Sequence, residues 1–216
     1  MNIILFGPPG VGKGTQGDNL VNDLKLFKIS AGDILREEIN KESLLGKKIK
    51  LKVDQGLLVP NEIIDNLIEN ILSSNIYSNR LIFDGYPRNL DQAKNLDVLL
   101  RKYNQKISCV LSLNVQKNTI IKRIMGRQVC SKCGLTFNKF FKPANKKNHN
   151  CDPENLRIRS DDNEPTIMNR FNTYIKETFP IIKYYQKQNL VMEVDGMNEI
   201  DQIYKEIRGI IDSLDT

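Results

Sequence analysis

The sequence predicts an α/β protein built on a five-stranded parallel sheet with helices on both faces. Three observations carry this. Five short apolar runs recur along the 216 residues, each followed by a stretch whose apolar residues have helical spacing. Strands that alternate with helices in this way become parallel neighbours through crossover connections. A glycine-rich turn, Gly7-Pro8-Pro9-Gly10-Val11-Gly12-Lys13-Gly14-Thr15, stands between the first apolar run and the first helical stretch. Finally, the chain is 40% hydrophobic, enough at this length to bury a sizeable core.

In chain order, residues 2–6 read as a buried strand and 12–26 as the helix it feeds, with Leu20, Val21 and Leu24 on one face. Residues 27–30 make a short second strand. Gly32-Asp33-Ile34-Leu35-Arg36 opens a helix, and 44–53 suggests another before Gly56. Pro60-Asn61-Glu62 has the chemistry of a helix start, with Ile63, Ile64, Leu67, Ile68 and Ile71 as its apolar residues. Residues 80–84 form a third buried strand that ends in the carboxylate of Asp84, where an open parallel sheet lines its ligand crevice. An amphipathic helix over 89–103, a strand over 107–115 and a helix over 116–127 follow. From Gln128 to about Glu164 the periodicity stops, and an irregular segment of that length inside a compact domain reads as a lid or small module. Helical order returns at Pro165 and runs to Gln188 with a bend at Pro180. A fifth strand over 190–194 and a helix over 199–214 complete the pattern. The expected organisation is a core of residues 1–29, 60–126 and 165–216, an insertion at 30–59 and a lid at 127–164.

The glycine-rich turn has the chemistry of a phosphate cradle. A strand, a turn and a helix start bring backbone N–H groups and the positive end of a helix dipole to one point, beside Lys13. The P-loop pattern GxxxxGK is met by Gly7, Gly12 and Lys13. Gly14 stands where Ser or Thr normally follows, and Thr15 comes one residue late.

A net charge of +6 admits nucleic acid, an anionic surface or phosphorylated small molecules. No acidic residue occurs between Asp97 and Asp152, but the aromatic and basic code of an RNA-binding motif is missing there. Phosphorylated small molecules therefore fit better than nucleic acid. No apolar run approaches the roughly 18 residues of a membrane span, so a cytoplasmic location without membrane contact is the expectation. Of four cysteines, Cys109 lies in a strand-like run. Cys130, Cys133 and Cys151 have a CxxC knuckle and a third cysteine 18 positions on, a spacing that suits a structural zinc site or its metal-free vestige. The one histidine, His149, sits among lysines and makes a poor general base.

The glycine between Lys13 and Thr15 resembles the nucleoside monophosphate kinases. Ala31-Gly-Asp-Ile-Leu-Arg36, Asp84-Gly85-Tyr86-Pro87-Arg88, Arg123-Ile-Met-Gly-Arg127, Arg159-Ser-Asp161-Asp162 and Arg170 then follow in the order and near the spacing of the adenylate kinase family. The resemblance implies reversible, Mg²⁺-dependent phosphoryl transfer from ATP to AMP, giving two ADP, by a monomer. It implies that Gly10, Val11, Gly12, Lys13, Gly14 and Thr15 hold the donor's phosphates, with Arg123 beside them, and that Arg127, Thr136, Phe137 and Asn198 surround the donor adenine. Arg123, Arg159 and Arg170 would surround the transferring group. Arg36 and Arg88 would hold the acceptor phosphate, within a wider acceptor site that includes Arg159 and Arg170. Asp84 would order water around Mg²⁺, and Asp161 and Asp162 would orient arginines.

For the acceptor site the resemblance gives Ala31, Gly85, Tyr86 and Pro87 as well, with Leu57, Leu58 and Val59 at the edge of the pocket and the amide of Gln92 facing the adenine. Two departures stand out: Ala31 replaces a hydroxyl residue, and Tyr86 stands where Phe is common. In the zinc-bearing branch the fourth ligand comes three positions after the third cysteine, here Glu154, with His149 as a rival. The nearest alternative enzyme is a kinase of the same fold with another monophosphate acceptor or with GTP as donor. An alternative from another class is a P-loop protein whose nucleotide site is only a switch.

Overall fold

The computed structural model describes residues 1–74 and 76–214. Its order is β1 (Asn2–Phe6), α1 (Lys13–Leu24), β2 (Phe27–Ser30), α2 (Ala31–Asn40), α3 (Leu44–Asp54), α4 (Asn61–Ser73), β3 (Leu81–Asp84), α5 (Leu90–Lys102), β4 (Cys109–Asn114) and α6 (Lys117–Met125). Then come β5 (Arg127–Cys130), β6 (Thr136–Asn138), β7 (Leu156–Arg157), α7 (Glu164–Thr173), α8 (Ile181–Gln186), β8 (Val191–Asp195) and α9 (Ile200–Leu214).

The five expected strands form one parallel sheet in the order β2-β3-β1-β4-β8. β1 is central, and all five of its residues are buried, so its apolar run serves both faces of the sheet. On one face, Ile64, Ile68 and Leu72 of α4 pack with Leu96, Leu99 and Leu100 of α5 and with Tyr185 of α8. On the other face, Leu20 of α1 meets Ile203, Ile207 and Ile211 of α9, whose four-residue spacing gives one fully buried stripe. From β1 the chain travels to the edge strand β2, and β3 then fills the gap between them. β4 and β8 extend the opposite side. The loop after β1 thus emerges mid-sheet at the carboxyl ends of the strands, where the winding reverses and ligands bind in open α/β sheets.

Three stretches differ from the sequence expectation. The helix expected to reach 127 ends at Met125: Gly126 is its C-cap, packed where a Cβ would lie 2.6 Å from the Phe140 ring, and Arg127 instead opens β5. The stretch expected to be irregular contains a three-stranded antiparallel sheet, β6-β5-β7. Between α7 and α8 the helix widens into a π turn over Tyr174–Thr178, closed by the Phe179 N–H donating to the Tyr174 carbonyl at 2.8 Å. Pro180, with no N–H to donate, follows at once, so the disturbance begins one turn before the proline.

Candidate active site

At the carboxyl ends of the sheet lies a cleft of about 700 Å³, toward the large end of the roughly 300–1,000 Å³ typical of small-molecule sites. The loop after β1 forms its floor. Gly7 has φ +141, and a Cβ there would meet the Leu113 carbonyl at 2.6 Å, so the loop lies against β4 only because the side chain is missing. Gly12 caps α1 in the left-handed region at φ +111. No side chain caps that helix among the described residues and no acid stands in its first turn, so the dipole's positive end is uncompensated where the loop faces the cleft. Lys13 Nζ donates to the carbonyls of Gly7 at 2.8 Å and Pro8 at 2.9 Å. Desolvation pulls its pKa down to about 8; Asp84 opposes this, while Arg88, Arg170 and Arg127 reinforce it.

The arginines crowd the same space. Arg88 Nε donates to the Gly85 carbonyl at 2.6 Å, and Thr178 Oγ1 holds the Arg88 carbonyl at 2.7 Å. Desolvation, followed by the neighbouring Arg170, lowers Arg88 to about 10. Arg159 is likewise lowered to about 10 by desolvation and by Arg127 and Arg36, with Asp33 4.0 Å away. Arg123 donates to the Val11 carbonyl at 3.0 Å and lies 5.5 Å from the centre of the Phe141 ring. Three arginines hydrogen-bond a carboxylate. Arg127 grips Asp162 in two places, with Nε donating at 2.7 Å, and burial alone would lower the pKa that this pairing raises. Arg170 donates to Asp161 at 2.8 Å, yet desolvation still depresses it. Burial would raise Asp161, but the facing arginines, Arg170 first, hold it below the usual carboxylate range. Arg36 donates to Asp33 at 2.5 Å. Cations outnumber the carboxylates set among them, and the lowered pKa values mark positive charges held close together out of water. A polyphosphate supplies the missing negative charge.

Every nucleotide-site residue named from the sequence lines this cleft. On one side Leu57, Leu58 and Val59 follow Gly56, whose Cβ would lie 2.9 Å from both Arg170 Cγ and the Thr166 carbonyl. Thr166 Oγ1 donates to the Asp54 carbonyl at 3.0 Å, so the end of α3 is tied to the helix that carries Arg170. Ala31 begins α2, and the preceding Ser30 hydroxyl accepts from the Asp33 N–H. Gln92 lies on α5 and is 2% exposed. Tyr86 is 1% exposed and its hydroxyl donates to Asp65 at 2.7 Å, so its polar end anchors α4. On the other side Thr136 and Phe137 stand on β6 and Asn198 in the turn after β8. Phe137 is 3% exposed and packs its ring edge-on against His149, centroids 4.8 Å apart. Thr178 and Phe141 also line the cleft, and the sequence reading missed both. Each acts through a partner far away in the chain, and no local pattern marks it.

Cys130, Cys133, His149 and Cys151 converge, with their ligand atoms all within 4.8 Å of one another. Four ligands about 2.0–2.3 Å from one ion would have comparable separations. His149 Nε2 is buried without a hydrogen-bond partner among the described residues, an orphan that a metal would satisfy. Burial opposes ionisation of Cys130, but the Cys133 backbone amide and the His149 ring pull its thiol down to about 6. Glu154 falls outside this group. It sits in the short 3₁₀ turn Pro153–Asn155, and the group is completed by His149, the rival to the Glu154 that the family resemblance had implied.

The family model described as adenylate kinase matches residues 5–190. An adenylate kinase of Pelagibacter ubique (strain HTCC1062) is 44% identical over 211 residues, 98% of this chain and 99% of its own length. One from Methanosarcina barkeri (strain Fusaro / DSM 804) is 42% identical, covering 98% of each chain. One from Enterococcus faecalis (strain ATCC 700802 / V583) is 36% identical, covering 98% of this chain and 99% of its own.

Proposed function

The chain belongs to the adenylate kinase family, and from that premise we propose that it transfers the γ-phosphoryl group of ATP reversibly to AMP, giving two ADP. The observation that carries this reading is the meeting of Lys13 with Arg88, Arg123, Arg159 and Arg170 in one cleft that also holds two candidate base pockets. Phosphoryl transfer asks little covalent chemistry of a protein; placement in line and compensation of charge on the equatorial oxygens do the work. Among the described residues no histidine lines the cleft, and none is needed.

In this mechanism the loop amides from Gly10 to Thr15 and the Lys13 ammonium hold the donor's phosphates. Arg36 and Arg88 grip the acceptor phosphate and aim one of its oxygens at the donor. Arg123, Arg159 and Arg170 follow the charge as it spreads over the transferring group. Asp161 and Asp162 keep Arg170 and Arg127 in position through the ion pairs described above. Asp84, at the end of β3 and close enough to Lys13 and Arg88 to act on both electrostatically, is the carboxylate suited to the water shell of Mg²⁺. When bound, that ion neutralises charge on the donor's phosphate oxygens. Residues 30–59 supply the acceptor pocket, where Gln92 reads the base. Residues 127–164 form a lid, and with 1–29, 60–126 and 165–216 as core the two insertions close over the substrates and exclude water as a competing acceptor.

Cys130, Cys133, His149 and Cys151 would hold a structural Zn²⁺ that ties β5, β6 and the loop before β7 together. A closed four-ligand site of this kind leaves no open position for catalysis. The protein acts as a cytoplasmic monomer on small molecules, without nucleic acid or membrane partners. No helix among the described residues is long and apolar enough to cross a membrane. A coupled assay with ATP and each of AMP, GMP, CMP and UMP tests the assignment. AMP is the preferred acceptor, and a preference for any other monophosphate would refute it.

A further inference from the structure

Three side-chain amides between α4 and α5 form a chain whose sense is set by two backbone N–H groups. The Gln92 N–H donates to Asn89 Oδ1 at 2.9 Å, which leaves the Asn89 NH₂ pointing onward, and it donates to Asn61 Oδ1 at 2.8 Å. The same Asn61 oxygen accepts from Gln92 Nε2 at 2.9 Å. At the other end of the Gln92 amide, Oε1 accepts from the Arg88 N–H at 2.7 Å. A backbone N–H can only donate, so the Arg88 contact requires an oxygen and the Gln92 contact fixes Asn89. Turning the Gln92 amide over would set NH₂ against the Arg88 N–H and a carbonyl oxygen against Asn61 Oδ1, two repulsive contacts in a buried place.

The sense of that amide matters because a primary amide pairs with a purine edge in two exclusive ways. A 6-amino purine offers an N–H donor at the 6 position and an acceptor at N1, and takes amide oxygen and amide nitrogen in that order. A 6-oxo purine offers the reverse. We propose that Asn61 is a positioning residue for acceptor specificity: by accepting from Gln92 Nε2 it fixes the amide in the sense that receives a 6-amino purine monophosphate and rejects a 6-oxo one. The inference rests on the reading that Gln92 faces the acceptor base. After the contacts to Arg88 and Asn61, Gln92 retains one lone pair on Oε1 and one hydrogen on Nε2, which is the pair a 6-amino purine needs.

The test compares kcat/KM for AMP and for inosine monophosphate in the wild type and in Asn61→Leu, Asn61→Asp and Gln92→Leu, with melting temperatures and the KM for ATP measured alongside. A site built around a hydrogen-bond pattern rejects the inverted pattern by ~10²-fold or more. Asn61→Leu lowers that ratio by about tenfold through the acceptor KM, leaving the KM for ATP unchanged. Asn61→Asp, which still offers an acceptor to both amides, keeps the wild-type ratio. Asn61→Ala replaces the leucine variant if that one melts early. A ratio unchanged in the apolar variants, or an equal loss in Asn61→Asp, would overturn the positioning role. A ratio unchanged in Gln92→Leu would instead show that Gln92 does not read the base, and the proposal would fall with that reading.

Discussion

Lys13 titrates within reach of ordinary buffers, and that gives a quantitative test of the phosphate cradle. Its ammonium is desolvated and faces Arg88, Arg170 and Arg127, so its pKa is about 8 in the free protein. A bound polyphosphate adds negative charge beside it and returns the pKa toward or above the ordinary lysine value of about 10.4. The sign follows. Below pH 8 the lysine is already charged and donor binding needs no proton; above pH 8 a proton must be taken up. Free Lys13 is about nine-tenths charged at pH 7 and about one-tenth charged at pH 9, so donor affinity falls about tenfold across that interval, with uptake approaching one proton per nucleotide at pH 9. Calorimetry with Mg·ATP in the absence of AMP, in buffers of different ionisation enthalpy, measures both quantities. Lys13→Met binds more weakly and loses the slope. A flat profile from pH 7 to 9 in the wild type, or an equal slope in Lys13→Met, would refute the reasoning.

Three further outcomes are expected. Arg88→Ala, Arg123→Ala and Arg159→Ala each lower kcat by about 10³-fold or more. Removing one of several crowded cations should leave the melting temperature within ~4 °C of wild type, and near-normal turnover in all three would contradict the site. Elemental analysis of protein purified without added zinc finds one metal per chain, lost in Cys130→Ser and in His149→Gln but kept in Glu154→Gln; loss in the last variant would restore the carboxylate as ligand. Tyr86→Phe deletes the hydrogen bond to Asp65 and costs ~1 kcal/mol, or about 2–4 °C in melting temperature, while the KM for AMP stays within about twofold. A large rise in that KM would mean that the hydroxyl serves the acceptor.

The parallel sheet was legible because each of its strands carries its own signal. The run from Ile3 to Phe6 has no polar face to hide, and Asp84 closes its strand with a carboxylate at the strand end. The P-loop was equally local, since the constraints on Gly7 and Gly12 are backbone constraints that only glycine meets. The antiparallel sheet was not legible in the same way. β5, β6 and β7 are two to four residues long, too short for a period, and their register is set by pairing across long separations such as Val129 with Arg157. His149 was visible as a candidate ligand, but only the turn that folds it back over Phe137 separates it from Glu154. The least legible feature was the chain of amides through Asn61. Its members lie up to 31 residues apart, and its sense is set by the backbone N–H groups of Gln92 and Arg88.

The most direct measurement of whether donor and acceptor share one cleft uses a compound with two adenosines joined by five phosphates, which spans both base pockets and lays its charge along the arginines. Occupation of both pockets at once predicts one molecule bound per chain and inhibition competitive with both ATP and AMP, with affinity falling in Arg88→Ala, Arg123→Ala and Arg159→Ala alike. Two molecules bound per chain, or competition with only one of the two substrates, would contradict the convergence of Lys13 and these arginines on a single transferring group.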